Sequence, residues 1–255
     1  MIVSLILAAA AGAVVPAPGP VVALVAEEGT SQCLPDHSLC LEVPPVEDGD
    51  AGEAVLRVAS PGAATASLAL PAFAEAETVA LWPRLIRAKG GEGAPRYLVG
   101  ILSGQTSMYS GGGGSASQLH LLELSAAPGA ARLGGEALEL PWDGSLMIRA
   151  CFSEQDSKDR LEACHDEYEF GADLTAATAS GDAVFPTLTY RAVATAFPRT
   201  SRRSQDNSAT KLKRADLVHA EDPACTYDRV LRYDAATARY AMDRAAPDCS
   251  DYTTP

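Results

Sequence analysis

The sequence predicts an all-β, mainly antiparallel protein with at most one or two short helices. Leu, Val, Tyr and Thr recur in short runs, and 21 glycines and 17 prolines interrupt those runs, which is typical of strands joined by turns. Hydrophobic residues make up 47% of the 255-residue chain, enough for a sizeable core. A sandwich and a propeller-like arrangement are both compatible with this pattern.

Residues 1–23 are predicted to be a secretory signal peptide. The first 15 residues contain no charged side chain, and the first charged residue is Glu27. Small residues place a cleavage site after Ala13 or after Ala23. Because a basic segment before the apolar run is missing, a buried N-terminal strand is the alternative. Three prolines interrupt the run before it reaches the ~20 residues of a spanning helix, so the chain is not predicted to be an integral membrane protein.

Residues 24–50 are predicted to form an irregular N-terminal arm, and residues 51–255 a single β-rich domain. The glycine-rich segment 110–115 is predicted to be a flexible loop, and the apolar run 97–102 a strand buried on both faces. A hairpin is predicted near the end; if Tyr233 lies opposite Ala238, the pair Cys225–Cys249 falls just past the paired strands. The predicted strands are 54–59, 65–70, 79–89, 97–102, 118–124, 138–140, 146–152, 187–197, 227–233 and 238–243.

Six cysteines fall into three separated couples. Six cysteines allow 15 pairings, and closeness in sequence favours Cys33–Cys40, Cys151–Cys164 and Cys225–Cys249. On a loop-entropy model each disulfide contributes roughly 2.5–3.5 kcal/mol. No C-x-x-C pair is present, so structural zinc is the less favoured alternative and no metal is predicted. An even cysteine count after an apolar leader favours an oxidising compartment and predicts a periplasmic or secreted protein.

The densest polar cluster lies at 153–169 and contains the candidate catalytic residues. Ser153 and Asp156 have the spacing of a capping box, which predicts a short helix between Cys151 and Cys164. Three polar residues follow, and a solvated surface is the favoured interpretation because neighbouring residues of a strand face opposite ways. These candidates for catalysis are His165, Asp166 and Glu167.

The net charge of −13 and pI of about 4.7 oppose binding to a phosphate backbone, so no nucleic-acid partner is predicted. A cationic cluster stands out against this background and is a candidate for docking an anionic partner. The alternative is a long polar loop, disordered in part. The cluster consists of Arg199, Arg202, Arg203, Lys211, Lys213 and Arg214.

The sequence therefore predicts an exported, disulfide-stabilised binding or structural module, with a secreted hydrolase whose site is assembled from loops as the alternative. No motif predicts a cofactor, and nucleophile-elbow, S-x-x-K and H-E-x-x-H patterns are absent. Ser103 is interpreted as a loop serine. Because catalytic groups from distant segments must converge in an enzyme, the positions of His120, His165 and His219 separate the two functions. If the three histidines scatter over the surface, the binding module is favoured.

Overall fold

A computed structural model describes residues 19–27, 29–45, 54–90, 93–177 and 183–255. It is 50% strand and 7% helix, with antiparallel pairing in its sheets, which confirms the predicted all-β class. The predicted signal peptide lies outside the described residues except for its last five positions. Within the described ranges, no helix has the length and apolar character required to cross a bilayer.

The described residues contain fifteen strands, two short helices and two 3-10 turns, at Pro71–Phe73 and Arg214–Asp216. The helices are α1 (Glu154–Asp159) and α2 (Ser250–Thr253). The strands are β1 (Val21–Ala23), β2 (Val25–Ala26), β3 (Gln32–Cys33), β4 (Cys40–Glu42), β5 (Val55–Ala59), β6 (Ala66–Ala69), β7 (Thr78–Arg87), β8 (Arg96–Tyr109), β9 (Gly112–Ser125), β10 (Arg132–Arg149), β11 (His165–Ala176), β12 (Leu188–Phe197), β13 (Ala220–Glu221), β14 (Tyr227–Asp234) and β15 (Arg239–Met242).

Two antiparallel sheets contain all of these strands. The larger has ten strands in the order β1-β7-β8-β9-β10-β11-β12-β14-β15, with β13 on the side of β12. The smaller has five strands in the order β2-β3-β4-β5-β6. From β7 to β12 each strand pairs with the next one along the chain, so the larger sheet is chiefly a meander.

Strands β8 and β9 separate two hydrophobic cores. Leu98 and Leu119 belong to the first core, which lies among the strands of the larger sheet. Val99 and Leu122 point the other way, into the second core beneath the smaller sheet. Because both faces are covered, the run 97–102 has no polar face, as the sequence predicts.

The range 24–50, expected to be an irregular arm, contributes strands β2, β3 and β4 to the smaller sheet. Leu34 and Leu41 from this range are fully buried in the second core. Strands of two or three residues are too short to display the alternation that identifies a strand in sequence.

The segment 110–115, expected to be a flexible loop, forms a tight turn and the start of β9. Gly112, Gly113 and Gly114 pair with both β8 and β10. A Cβ at Gly114 would lie 2.7 Å from the carbonyl oxygen of Ser145. Glycine is therefore needed here because β10 approaches closely. Composition alone does not distinguish glycines that allow close strand packing from glycines of a flexible loop.

The structure contains the same three disulfides that closeness in sequence favours: Cys33–Cys40, Cys151–Cys164 and Cys225–Cys249. Cys33 and Cys40 lie directly opposite each other on β3 and β4. The second disulfide closes the segment that contains α1, and the third ties the chain before β14 to the start of α2. The three disulfides join cysteines 7, 13 and 24 residues apart, so each closes a local segment of the chain.

We expect Gly100→Ala to destabilise the protein, because a Cβ at this position would lie 2.7 Å from the Cβ and 2.8 Å from Cε3 of the buried Trp82. Overpacking of this kind costs about 1–3 kcal/mol. Chemical unfolding with the disulfides intact measures the loss. The matched control is Gly171→Ala on the exposed face of β11, where a Cβ meets nothing within 4 Å. Equal stabilities of the two variants would contradict the proposed packing.

Candidate functional site

Three side chains from neighbouring strands form a continuous chain of hydrogen bonds. Ser103 Oγ on β8 lies 3.0 Å from Nε2 of His120 on β9. Nδ1 of the same imidazole lies 2.8 Å from Oε2 of Glu136 on β10. A hydroxyl, an imidazole and a carboxylate thus follow one another at hydrogen-bond distances. The nucleophile, the base and the orienting group of hydrolase triads have the same order and similar distances.

The strand register brings these residues together. His120 is opposite Ile101 on β8, so Ser103, two residues further along, shares its face. Glu136 is opposite Leu122 on β9, two residues from His120, with register shifts on both sides of that pair. The cluster is therefore assembled on the face of a sheet and not from loops.

The cluster opens into a cavity of about 330 Å³ at the edge of the second core. The side chain of His120 is 12% exposed and that of Glu136 is 26% exposed. The Phe73 ring contacts the imidazole edge-to-face, with ring centroids 4.8 Å apart, and Arg239 Nη2 lies 3.2 Å from Glu136 Oε1. The imidazole is thus fixed on several sides while Ser103 still borders the cavity.

Amide side chains line the same cavity beside the hydroxyl. Gln118 is the direct cross-strand partner of Ser103, and Gln105 follows Ser103 by two residues on the same face. Side-chain amides can donate hydrogen bonds to a developing oxyanion. Glu75 and Glu139 also line the cavity, so its charge is predominantly acidic.

The sequence-predicted candidates His165, Asp166 and Glu167 do not converge on a site. His165 is exposed, whereas Glu167 has an oxygen 3.7 Å from Nε2 of His219. His219 itself stacks on Phe197. Among the described residues, no ion pair or hydrogen bond joins His165 to His219 or either of them to His120.

Asp166 is 2% exposed, which contradicts the expected solvated surface. Its Oδ1 lies 2.5 Å from Nη2 of the fully buried Arg160 and accepts a hydrogen bond of 2.6 Å from Ser201 Oγ. Arg160 also donates to the carbonyl oxygens of Ala163 and Asn207. The carboxylate is enclosed and its Oδ1 is held by both Arg160 and Ser201, which favours a structural role.

Helix α1 begins with the predicted capping box. The Asp156 amide donates to Ser153 Oγ, while the Asp156 carboxylate accepts from the amides of Phe152 and Ser153. These hydrogen bonds, chiefly that from Phe152, lower the pKa of the Asp156 carboxyl below its usual range. The exposed pair Glu154–Lys158 adds an i,i+4 contact of 3.8 Å.

The cationic cluster 199–214 is folded and not a disordered loop. Arg203 donates to three carbonyl oxygens around α2, and Arg202 donates to the carbonyls of Arg199 and Ser201. Lys211 lies 3.6 Å from Asp159. The charges of Arg199, Lys213 and Arg214 lie on exposed residues, so part of the cluster stabilises the fold and part faces solvent.

A second cavity, of about 640 Å³, lies near the start of β8. Arg87, Lys89 and Arg96 line it, together with Asp36. Arg96 is paired with Glu123 at 2.9 Å. No serine, histidine and carboxylate converge in this cavity among the described residues, so the smaller cavity holds the stronger candidate site.

No protein-family model, curated protein or solved structure matches this chain at a significant level. The site is therefore interpreted from its geometry. Ser103, His120 and Glu136 are far apart in sequence and share no motif. The pairing register of three strands brings them together, and the spacing of these residues in the sequence does not reveal that register.

We expect Asp166→Ala to destabilise the protein by about 3–5 kcal/mol, because it leaves the buried guanidinium of Arg160 unpaired. Thermal and urea unfolding measure this loss. Glu167→Ala, on the neighbouring and more exposed residue, should change stability by less than about 1 kcal/mol. An Arg160→Met, Asp166→Leu double variant should be more stable than Asp166→Ala. A fully stable Asp166→Ala protein would contradict the structural role.

Proposed function

We propose that this chain is an exported, disulfide-stabilised hydrolase with Ser103 as its nucleophile. The hydrogen-bond chain from Ser103 through His120 to Glu136 carries the proposal. Three disulfides are typical of proteins from oxidising compartments. The site is assembled from strands, unlike the loop-assembled site expected from sequence, and the rigidity of the sheet favours precise geometry.

The proposed reaction is acyl transfer to water. Ser103 Oγ attacks the substrate carbonyl while His120 Nε2 accepts the hydroxyl proton, and Glu136 stabilises the resulting imidazolium through Nδ1–H. The amide of Gln118 donates to the oxyanion of the tetrahedral intermediate. His120 then protonates the leaving group, and water, deprotonated by the same imidazole, releases the acid and regenerates the serine.

The cavity limits the class of substrate. Its volume of about 330 Å³ lies at the small end of ligand pockets. The carboxylates of Glu75 and Glu139 disfavour an anionic group near the reacting carbonyl. We therefore propose small neutral or cationic esters or amides as substrates.

We expect Ser103→Ala and His120→Asn to lower kcat/KM for small activated esters by at least about 10³-fold. Glu136→Gln should lower it by a similar factor, because an amide favours the wrong imidazole tautomer. Labelling with a fluorophosphonate should modify Ser103 in the wild-type protein and fail in the His120→Asn variant.

Ser107→Ala is the matched control, since Ser107 lies four residues along β8 from Ser103 and outside the hydrogen-bond chain. Unfolding curves should show that all variants are folded. Wild-type protein without esterase activity or labelling would reject the hydrolase. The binding-module interpretation would then stand, with the cationic cavity at Arg87 and Arg96 as its best-supported site.

Export rests on the apolar leader together with the disulfides, and strand β1 favours one of the two cleavage sites. Val21–Ala23 pairs with β7, and Val22 is buried in the second core. Cleavage after Ala23 would remove this strand, whereas cleavage after Ala13 would retain it. We therefore propose Ala13 as the cleavage site.

Expression with the natural leader in a bacterial host should deliver the protein to the periplasm with Val14 as its first residue. N-terminal sequencing and intact mass measurement without reduction test this, because three disulfides make the mass lower than that of the reduced chain by six hydrogen atoms. A chain retained in the cytoplasm with its leader, or one beginning at Leu24, would contradict the proposal.

A further inference from the structure

We propose that the site also binds a divalent cation such as Zn²⁺ through His120, Glu136 and Glu139. Their ligand atoms all lie within 4.8 Å of one another. The other such cluster among the described residues depends on Cys33 and Cys40, which are joined in a disulfide and offer no thiolate. The cation site stands without the hydrolase, but the inhibitory effect of the cation rests on the proposed function.

A local irregularity of β10 creates this ligand set. Residues three apart on a regular strand point to opposite faces of the sheet. The register shift between Glu136 and Leu138 restores both glutamates to the face of His120. Glu139 then lies directly opposite His120, while Glu136 contacts its Nδ1. Bulges frequently redirect side chains at functional sites in this way.

The charge and chemistry of the cluster suit a divalent cation. One imidazole and two carboxylates leave a coordination position open for water, as in zinc sites that are not purely structural. Glu75 adds a further carboxylate to the cavity wall. The opposing charge is Arg239, whose side chain is 56% exposed and can leave Glu136 for solvent.

Cation binding and serine activation require opposite tautomers of His120. For catalysis the proton is on Nδ1, where it is donated to Glu136, and the Nε2 lone pair accepts the Ser103 proton. For coordination beside Glu136 the Nδ1 lone pair must face the cation, which places the proton on Nε2. Ser103 then accepts a hydrogen bond in place of donating one and loses its base. The cation therefore inhibits hydrolysis.

The test is calorimetric titration of the disulfide-intact full chain with zinc chloride, followed by esterase assays at the same zinc concentrations. We expect one binding site in the wild-type protein and in Ser103→Ala, which keeps all three ligands. Glu139→Gln should raise the dissociation constant at least about 10-fold. Glu167→Gln is the matched control. Glu167 lies 3.7 Å from His219, and this exposed pair has no third ligand among the described residues. The variant should therefore bind zinc like the wild type.

Absence of zinc binding, or binding that Glu139→Gln leaves unchanged, would overturn the cation site. Zinc that binds as expected to a protein without Ser103-dependent esterase activity would support the cation site while the hydrolase fails. Hydrolysis that continues undiminished with the site saturated by zinc would overturn the inhibitory effect.

Discussion

Burial of β8 and β9 from both sides is the constraint on which the rest of the structure depends. Alternate residues of these strands enter two different cores, Leu119 one and Leu122 the other. A slip of one residue would exchange the faces and move His120 into the first core. The packing therefore fixes the register, and the register fixes the distance between His120 and Ser103. The packing of the cores thus determines the geometry of the site, which lies at the edge of the second core.

Outside the cores, the fold depends on polar contacts and disulfides. No residue of α1 is buried, so the helix lacks an apolar face that could hold it in place. The disulfide Cys151–Cys164 closes its segment, and Arg160 anchors the segment to Asp166 on β11. These contacts stabilise a region that gains little from the hydrophobic effect. They also pair the carboxylate of Asp166, which was a candidate catalytic group in the sequence.

Much of the fold could be predicted from the sequence, because apolar runs, turn residues and neighbouring cysteines are local signals. The final hairpin shows the limit: Tyr233 pairs with Tyr240 and not with Ala238, which adopts a left-handed backbone that is uncommon for alanine. The candidate site could not be predicted for a related reason. Ser103 lies in the polar half of β8, where no apolar alternation marks a strand, and its contact with His120 depends on pairing register.

The proposed role of His120 as a base toward Ser103 can be tested through the tautomer of the neutral imidazole. Nitrogen–proton correlation spectra of metal-free protein distinguish the two tautomers, with His120→Asn identifying the signal. If His120 is the base, we expect a proton on Nδ1, donated to Glu136, and an unprotonated Nε2 that accepts a hydrogen bond from the Ser103 hydroxyl. A proton on Nε2 would make the imidazole a donor to Ser103 and would contradict the proposed role of His120.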